Sequence, residues 1–126
     1  MPDYFKKDTI LLCFMIHKMH LDPLPFEEIS SGLKKIESRL NDEKRQKIHV
    51  GDTIRFYKRP ECVKEVEVKV LKLHHYKSIK ELVGATPIEY WGPRFKNKQQ
   101  LIDTSWHYTE EEIRKHGLLA IYVILQ

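Results

Sequence analysis

Residues 63–73 alternate: Val66, Val68, Val70 and Leu73 fall on one side, and Lys64, Glu65, Glu67, Lys69 and Lys72 fall mostly on the other. A two-residue period of this length predicts a strand with one buried face and one wet face. A lone strand cannot bury its apolar face, and a lone hairpin is marginal in water, so the pattern demands a sheet. Four further strands are predicted. Cys13–Leu21 sets His17, Met19 and Leu21 against Lys18 and His20. Lys35–Leu40 follows, then Thr53–Tyr57 after a Gly51-Asp52 turn, and last the apolar run Leu118–Leu125.

The helical signals are short and well punctuated. Proline is tolerated only in a first helical turn, so Asp22-Pro23-Leu24-Pro25 predicts a helix that starts near Pro25. Phe26 and Ile29 share its inner face, and Gly32 ends it. Ser78-Ile79-Lys80-Glu81 carries a capping-box pattern whose helix closes at Gly84. Thr109-Glu110-Glu111-Glu112 carries another, closed by Gly117. Residues 41–47 read as an exposed loop or helical turn. Residues 85–106 read as a long loop with one short helix around 98–102, and a loop that long is uncommon without a purpose. The expected fold is α+β: a small, mostly antiparallel β-barrel with short helices covering its ends. One domain over residues 1–126 is expected, with residues 1–9 a loose N-terminal segment.

Composition narrows the class. The chain has 126 residues, of which 41% are hydrophobic and 32% charged, too apolar for a disordered chain. The longest apolar run, Ile10–Ile16, is far shorter than the ~20 residues of a membrane span, and no small-residue cleavage site follows it. Cys13 and Cys62 sit far apart in no metal or redox spacing, which predicts free thiols and a cytoplasmic protein. His17 and His20 diverge on a strand, His74 and His75 are adjacent, and His107 and His116 flank a helix. Neither a metal site nor a cofactor is expected. The net charge of +4 permits a nucleic-acid partner without requiring one.

Chemistry concentrates in residues 25–47. On the predicted strand, Lys35, Glu37 and Arg39 share one face, and Ile36, Ser38 and Leu40 share the other. Lys34 stands at its entrance, three residues from Glu37, hence on the opposite face unless the chain bends. Asn41, Lys44 and Arg45 add hydrogen-bonding and basic groups. Such a cluster can grip phosphates or read a base edge. The plain alternative is a wet strand face with surface ion pairs worth about 0–1 kcal/mol each. Residues 90–98 interleave Trp91 and other aromatics with Arg94 and lysines, as stacking surfaces for single-stranded RNA do. The alternative there is an aromatic plug for one end of the barrel. Lys44, Arg45, Lys47, Arg55, Lys58 and Arg59 form a possible phosphate footprint. His17 is read as a hydrogen-bonded core or cleft-wall residue.

Gly32-x-Lys34-x-x-Glu37-x-Arg39, followed by Gly51-Asp52-x-Ile54-x-Phe56, resembles the ASCH domain family of the PUA-like superfamily. The stretch from His17 to Phe26 and the run Arg39–Gln46 are similar to one bacterial subgroup. The resemblance spans nearly all of the chain after Leu12 and is weakest over residues 85–106. It implies a small β-barrel, a cleft lined by the Gly-x-Lys segment and a role with RNA, although fold alone does not fix function.

One branch with a similar Gly-x-Lys motif hydrolyses the amide of N(4)-acetylcytidine. The resemblance places Lys34 at that branch's nucleophile or base, but Glu37 stands where the branch has an assisting threonine. For the branch's glutamate, Glu81 and Glu89 are candidates. Another branch resembles ribonucleases, in which Lys34, Glu37, Arg39 and a histidine would share acid, base and phosphate roles. The leading expectation is an RNA- or nucleotide-binding domain using Lys34, Glu37, Arg39, Asn41, Lys44, Arg45, Trp91 and Arg94. The alternative is a metal-independent amidohydrolase or ribonuclease with Lys34 and Glu37 as catalytic residues. A protein-interaction module with an unused cleft is a third reading. Oligomeric state is not legible.

Overall fold

A computed structural model describes residues 14–126. The expected loose segment 1–9 and Cys13 lie outside the described residues. Five strands form one curled sheet: β1 (Ile16–Leu21), β2 (Ile36–Leu40), β3 (Thr53–Lys58), β4 (Glu65–Tyr76) and β5 (Leu118–Leu125). Four short helices accompany them: α1 (Pro23–Ser30), α2 (Ile79–Ala85), α3 (Lys98–Asp103) and α4 (Glu110–His116). The strand order β1-β3-β4-β5-β2 makes a half-barrel, with β1 and β2 as its two edges. Three of the four pairings are antiparallel, as expected, and β1 runs parallel to β3. No described helix is long and apolar enough to cross a membrane.

The sheet has a core on each face. Along β5, Leu119, Ile121 and Val123 point into the half-barrel and pack with Met19, Phe26, Ile54, Phe56, Val68 and Val70. Leu118 and Ala120 point the other way, into a second core with Ile36, Leu82, Trp91, Leu101 and Ile113. β5 is therefore apolar on both sides, which explains its continuous run where its neighbour β4 alternates. β4 carries a register shift between Val70 and Lys72. One extra residue flips the parity of the strand. Val66, Val68, Val70 and then Leu73 pack on the same core, and Leu71 is left exposed.

Local chemistry sets the element ends. α1 begins at Pro23, two residues before the expected start, so both prolines lie in its first turn, where no backbone donor is lost. Gly32, at φ +78°, ends it: Leu33 N–H donates to Glu28 O at 2.9 Å and Gly32 N–H to Ile29 O at 3.0 Å. α4 has the reciprocal Thr109–Glu112 capping box that the sequence predicts. Ser78 caps α2, but Gly84 lies inside that helix and Thr86 closes it. Thr86 Oγ1 donates back to Leu82 O at 2.8 Å, a hydroxyl bond that a glycine could not supply. The expected short helix in residues 85–106 is α3, capped by Asn97.

Candidate functional site

The free edge of β2 and the C-terminal end of β1 face each other across an open seam. The β2–β5 register sets Glu37 opposite Ile121 and Arg39 opposite Leu119, so both carboxylate and guanidinium turn into the half-barrel. Arg39 Nε donates to Glu37 Oε2 at 2.8 Å, and Arg39 Nη2 donates to His20 O of β1 at 2.8 Å. One side chain thus ties the two sheet edges together.

Lys34 joins this group, contrary to strand parity. Regular β2 starts only at Ile36, and Lys34 is held by a single antiparallel bridge to Trp91. The turn out of α1 delivers it at a different angle. Its Nζ lies 3.5 Å from Glu37 Oε1, donates to Ile36 O, and sits 4.8 Å from the centre of the Trp91 ring. Glu37 does lie between two cations, but they are Arg39 and Lys34. Lys35 instead is exposed and rides over Tyr90.

The group is buried: Lys34 is 6% exposed and Glu37 9%. Burial pushes the Lys34 ammonium below the usual lysine range, and the nearby Glu37 charge opposes this without reversing it. Burial would also raise the Glu37 carboxyl, but the Arg39 and Lys34 charges outweigh it and hold Glu37 below its ordinary value. The shorter contact goes to Arg39. Arg39 is therefore the principal counter-ion of Glu37, and Lys34 is the more easily deprotonated cation.

Around this floor opens a cleft of about 760 Å³. Lys34, Glu37, Arg39, Arg45, Arg59, Trp91 and Arg94 line it, all singled out by sequence; Phe95, Trp106, His107 and Tyr108 are among the other residues of its wall. Residues 85–108 fold over one side, which gives the long segment a structural purpose. Asp42 holds Arg45 in place: Arg45 N–H donates to Oδ1 at 3.1 Å and Nη1 to Oδ2 at 3.2 Å.

Other expected residues lie elsewhere. Asn41 and Lys44 do not line the cleft; Asn41 spends its backbone N–H on Gly117 O, and Lys44 precedes a turn of 3₁₀ helix as an exposed residue. His17 is not a cleft wall. It sits at the N-terminal end of β1, away from His20 and Leu21, which line the cleft, and its Nε2 donates to buried Asp52 Oδ2 at 2.7 Å. Burial would raise the Asp52 carboxyl, but bonds from His17 and the His49 and Met15 amides hold it low. Trp91 is 4% exposed, and its Nε1 donates to Thr86 Oγ1 at 2.9 Å, so it forms a fixed wall. Arg55 pairs with Glu67 and Lys58 with Glu27, and neither of these members of the expected phosphate footprint lines the cleft. Glu81 accepts from Lys77 N–H at the start of α2, and neither it nor Glu89 lines the cleft.

Sequence reasoning missed Glu28. It is 5% exposed, and its Oε1 accepts from Arg94 Nε at 2.9 Å, linking α1 to the long segment. Gly92, at φ +97°, permits this approach: a Cβ there would stand 2.6 Å from Glu28 Oε2. The local signal was the glycine, whose conformational freedom the segment needs.

This arrangement defines a class: an α+β half-barrel whose open seam carries a cleft lined by ion-paired and aromatic side chains. The chain belongs to the ASCH domain family, whose family model matches residues 19–125. That family is generally associated with RNA binding. The fold is similar to the crystal structure of hypothetical protein PH0355, with a TM-score of 0.77 and 34% identity, covering 89% of this chain and 100% of that one. It is also similar to the solution NMR structure of protein PF0455 from Pyrococcus furiosus, with a TM-score of 0.64 and 34% identity, covering 86% and 96% respectively. No curated protein matches the chain.

Proposed function

We propose that the seam cleft binds single-stranded RNA or a nucleotide. The observation that carries this reading is the lining itself. Lys34, Arg39, Arg45, Arg59 and Arg94 converge there with Phe95, Trp106 and Tyr108, each cation held in place by a carboxylate from Glu37, Asp42, Asp22 or Glu28. Cations suit the phosphates, and aromatic faces suit the bases. The volume falls in the ~300–1,000 Å³ range of small-ligand sites, room for a nucleotide rather than a duplex. Glu37 keeps acceptor capacity beyond its two cations, because a carboxylate has about four lone-pair sites. It can therefore accept from an exocyclic amine while Lys34 donates to a neighbouring carbonyl.

Fluorescence anisotropy with a short single-stranded RNA, across a salt series, tests this. Wild type should bind and weaken as salt rises, and Lys34→Ala should bind more weakly. Absence of wild-type binding at low salt overturns the reading.

A second reading is favoured by one observation: Arg39 takes Glu37 as its principal partner, and burial depresses Lys34. A buried amine that loses its proton readily can serve as nucleophile or general base. The matching reaction is metal-independent hydrolysis of an N(4)-acylated cytidine, in which water adds across the amide to give the carboxylic acid and the free exocyclic amine. Arg39 or protonated Lys34 would stabilise the developing oxyanion. Turnover of N(4)-acetylcytidine lost in Lys34→Ala, with the fold intact, supports it. Turnover retained in that variant removes Lys34 from the mechanism.

A further inference from the structure

The Lys34–Trp91 bridge is a wall with two sides. Lys34 and Trp91 border the seam cleft, while their neighbours Lys35 and Tyr90 border a separate groove of about 330 Å³. Lys34 lines both. The groove runs between the end of α1, where Gly32 ends the helix, and the last residues of β5. Its lining is aliphatic and aromatic, from Leu71, Tyr90, Tyr122 and Ile124, and holds no carboxylate side chain. Leu71 and Ile124 are about half exposed, an apolar surface that packing does not use.

Lys35, in the lining, and Lys72, just outside it, attend the groove's two tyrosines. Lys35 Nζ lies 5.3 Å from the Tyr90 ring centre, and Lys72 Nζ lies 5.1 Å from that of Tyr122. The rings meet edge to face, 6.2 Å apart. The β4 register shift places Lys72 beside Tyr122, and the short bridge sets Lys35 beside Tyr90. Both lysines are exposed, and neither forms an ion pair among the described residues. Lysine stems are flexible, so a base can take an ammonium's place on a ring while the ammonium moves to the phosphate. An unneutralised cation beside each aromatic face is the complement of a nucleotide. An acidic peptide would satisfy the charges but leave the rings unused.

We propose that this groove is a second nucleotide subsite, which takes the residue flanking the one in the seam cleft, so that the Lys34–Trp91 wall stands between two consecutive bases of one RNA strand. The proposal rests on the RNA-binding reading of the cleft. Its mark is a dependence on strand length. A mononucleotide fills the cleft alone, and an oligonucleotide engages both sites.

The test compares uridine monophosphate, by competition, with a fluorescent single-stranded RNA octamer, on wild type, Lys35→Glu/Lys72→Glu and Tyr90→Leu. Both variants should bind the octamer about tenfold or more weakly and leave mononucleotide binding unchanged. Unchanged octamer affinity in the double variant overturns the second subsite and leaves the cleft reading standing. An equal loss for both probes also overturns it, because the effect would then be general charge. Loss in the double variant with none in Tyr90→Leu, or displacement of the octamer by polyglutamate, replaces base stacking with an acidic polymer. Binding of neither probe by wild type overturns both readings together.

Discussion

At Glu37 a single buried carboxylate holds two cations, and the consequences are measurable without a ligand. Glu37→Gln leaves Arg39 and Lys34 buried without their counter-charge, which should cost about 3–5 kcal/mol in urea unfolding at pH 7. The folded Glu37 pKa is depressed, so its stabilisation is present above the unfolded carboxyl value of about 4.3 and is lost as pH falls through the lower folded value. Acid unfolding of the Gln variant should lack that part of the slope. Lys34 acts at the other end of the pH scale. Its folded pKa is also depressed, so between that value and about 10.4 the unfolded chain binds more protons, and stability rises with pH. Lys34→Met should flatten that alkaline rise in melts taken from pH 7 to 10. The residue types were legible in the motif, but their grouping was not. Strand parity separates Lys34 from Glu37, and only the late start of β2 and the contact with Trp91, far along the chain, reunite them.

Elements whose signals are local are legible in the sequence, and elements that answer to distant partners are not. The Gly32 helix end and the Thr109 capping box are set by neighbours a few residues away. Gly84 misled because the true stop, Thr86, is chosen by the Trp91 indole that it also accepts from. Thr86→Val should therefore strand a buried indole N–H and cost about 1–3 kcal/mol, read as a lower urea midpoint. The parallel pairing of β1 with β3 is likewise non-local; no turn or periodicity announces it. Residues 85–106 read as a long loop around one short helix because much of their backbone is satisfied on other elements, as when Lys35 N–H donates to Tyr90 O at 2.7 Å. Gly92→Ala tests how firmly that segment is seated. It forces a Cβ toward Glu28 at an unfavourable φ, and should both lower the melting temperature and weaken RNA binding by displacing Arg94.

Over the whole molecule, charge arrangement matters more than net charge. Arg55 and Lys58 are neutralised in pairs away from the cleft, and five cations gather at the seam, each beside a carboxylate that orients it. For single strands, each phosphate contact contributes about 0.7 to the slope of log affinity against log salt. Arg45→Ala should shallow the slope by about that amount, while Arg55→Ala should leave it unchanged. The half-barrel itself was legible from strand count and alternation, but the location of its opening was not, because edge strands are defined by which pairings fail to form. That opening is spanned by one guanidinium reaching from Arg39 to the His20 carbonyl rather than by a ladder of amides. A clasp of that kind can release and re-form without unzipping any strand. The two margins of the sheet can therefore breathe apart for a guest while β4 and β5, each paired on both sides, stay closed. In hydrogen–deuterium exchange, amides along the seam should trade their protons well before those of the central strands, and an occupied seam should slow them.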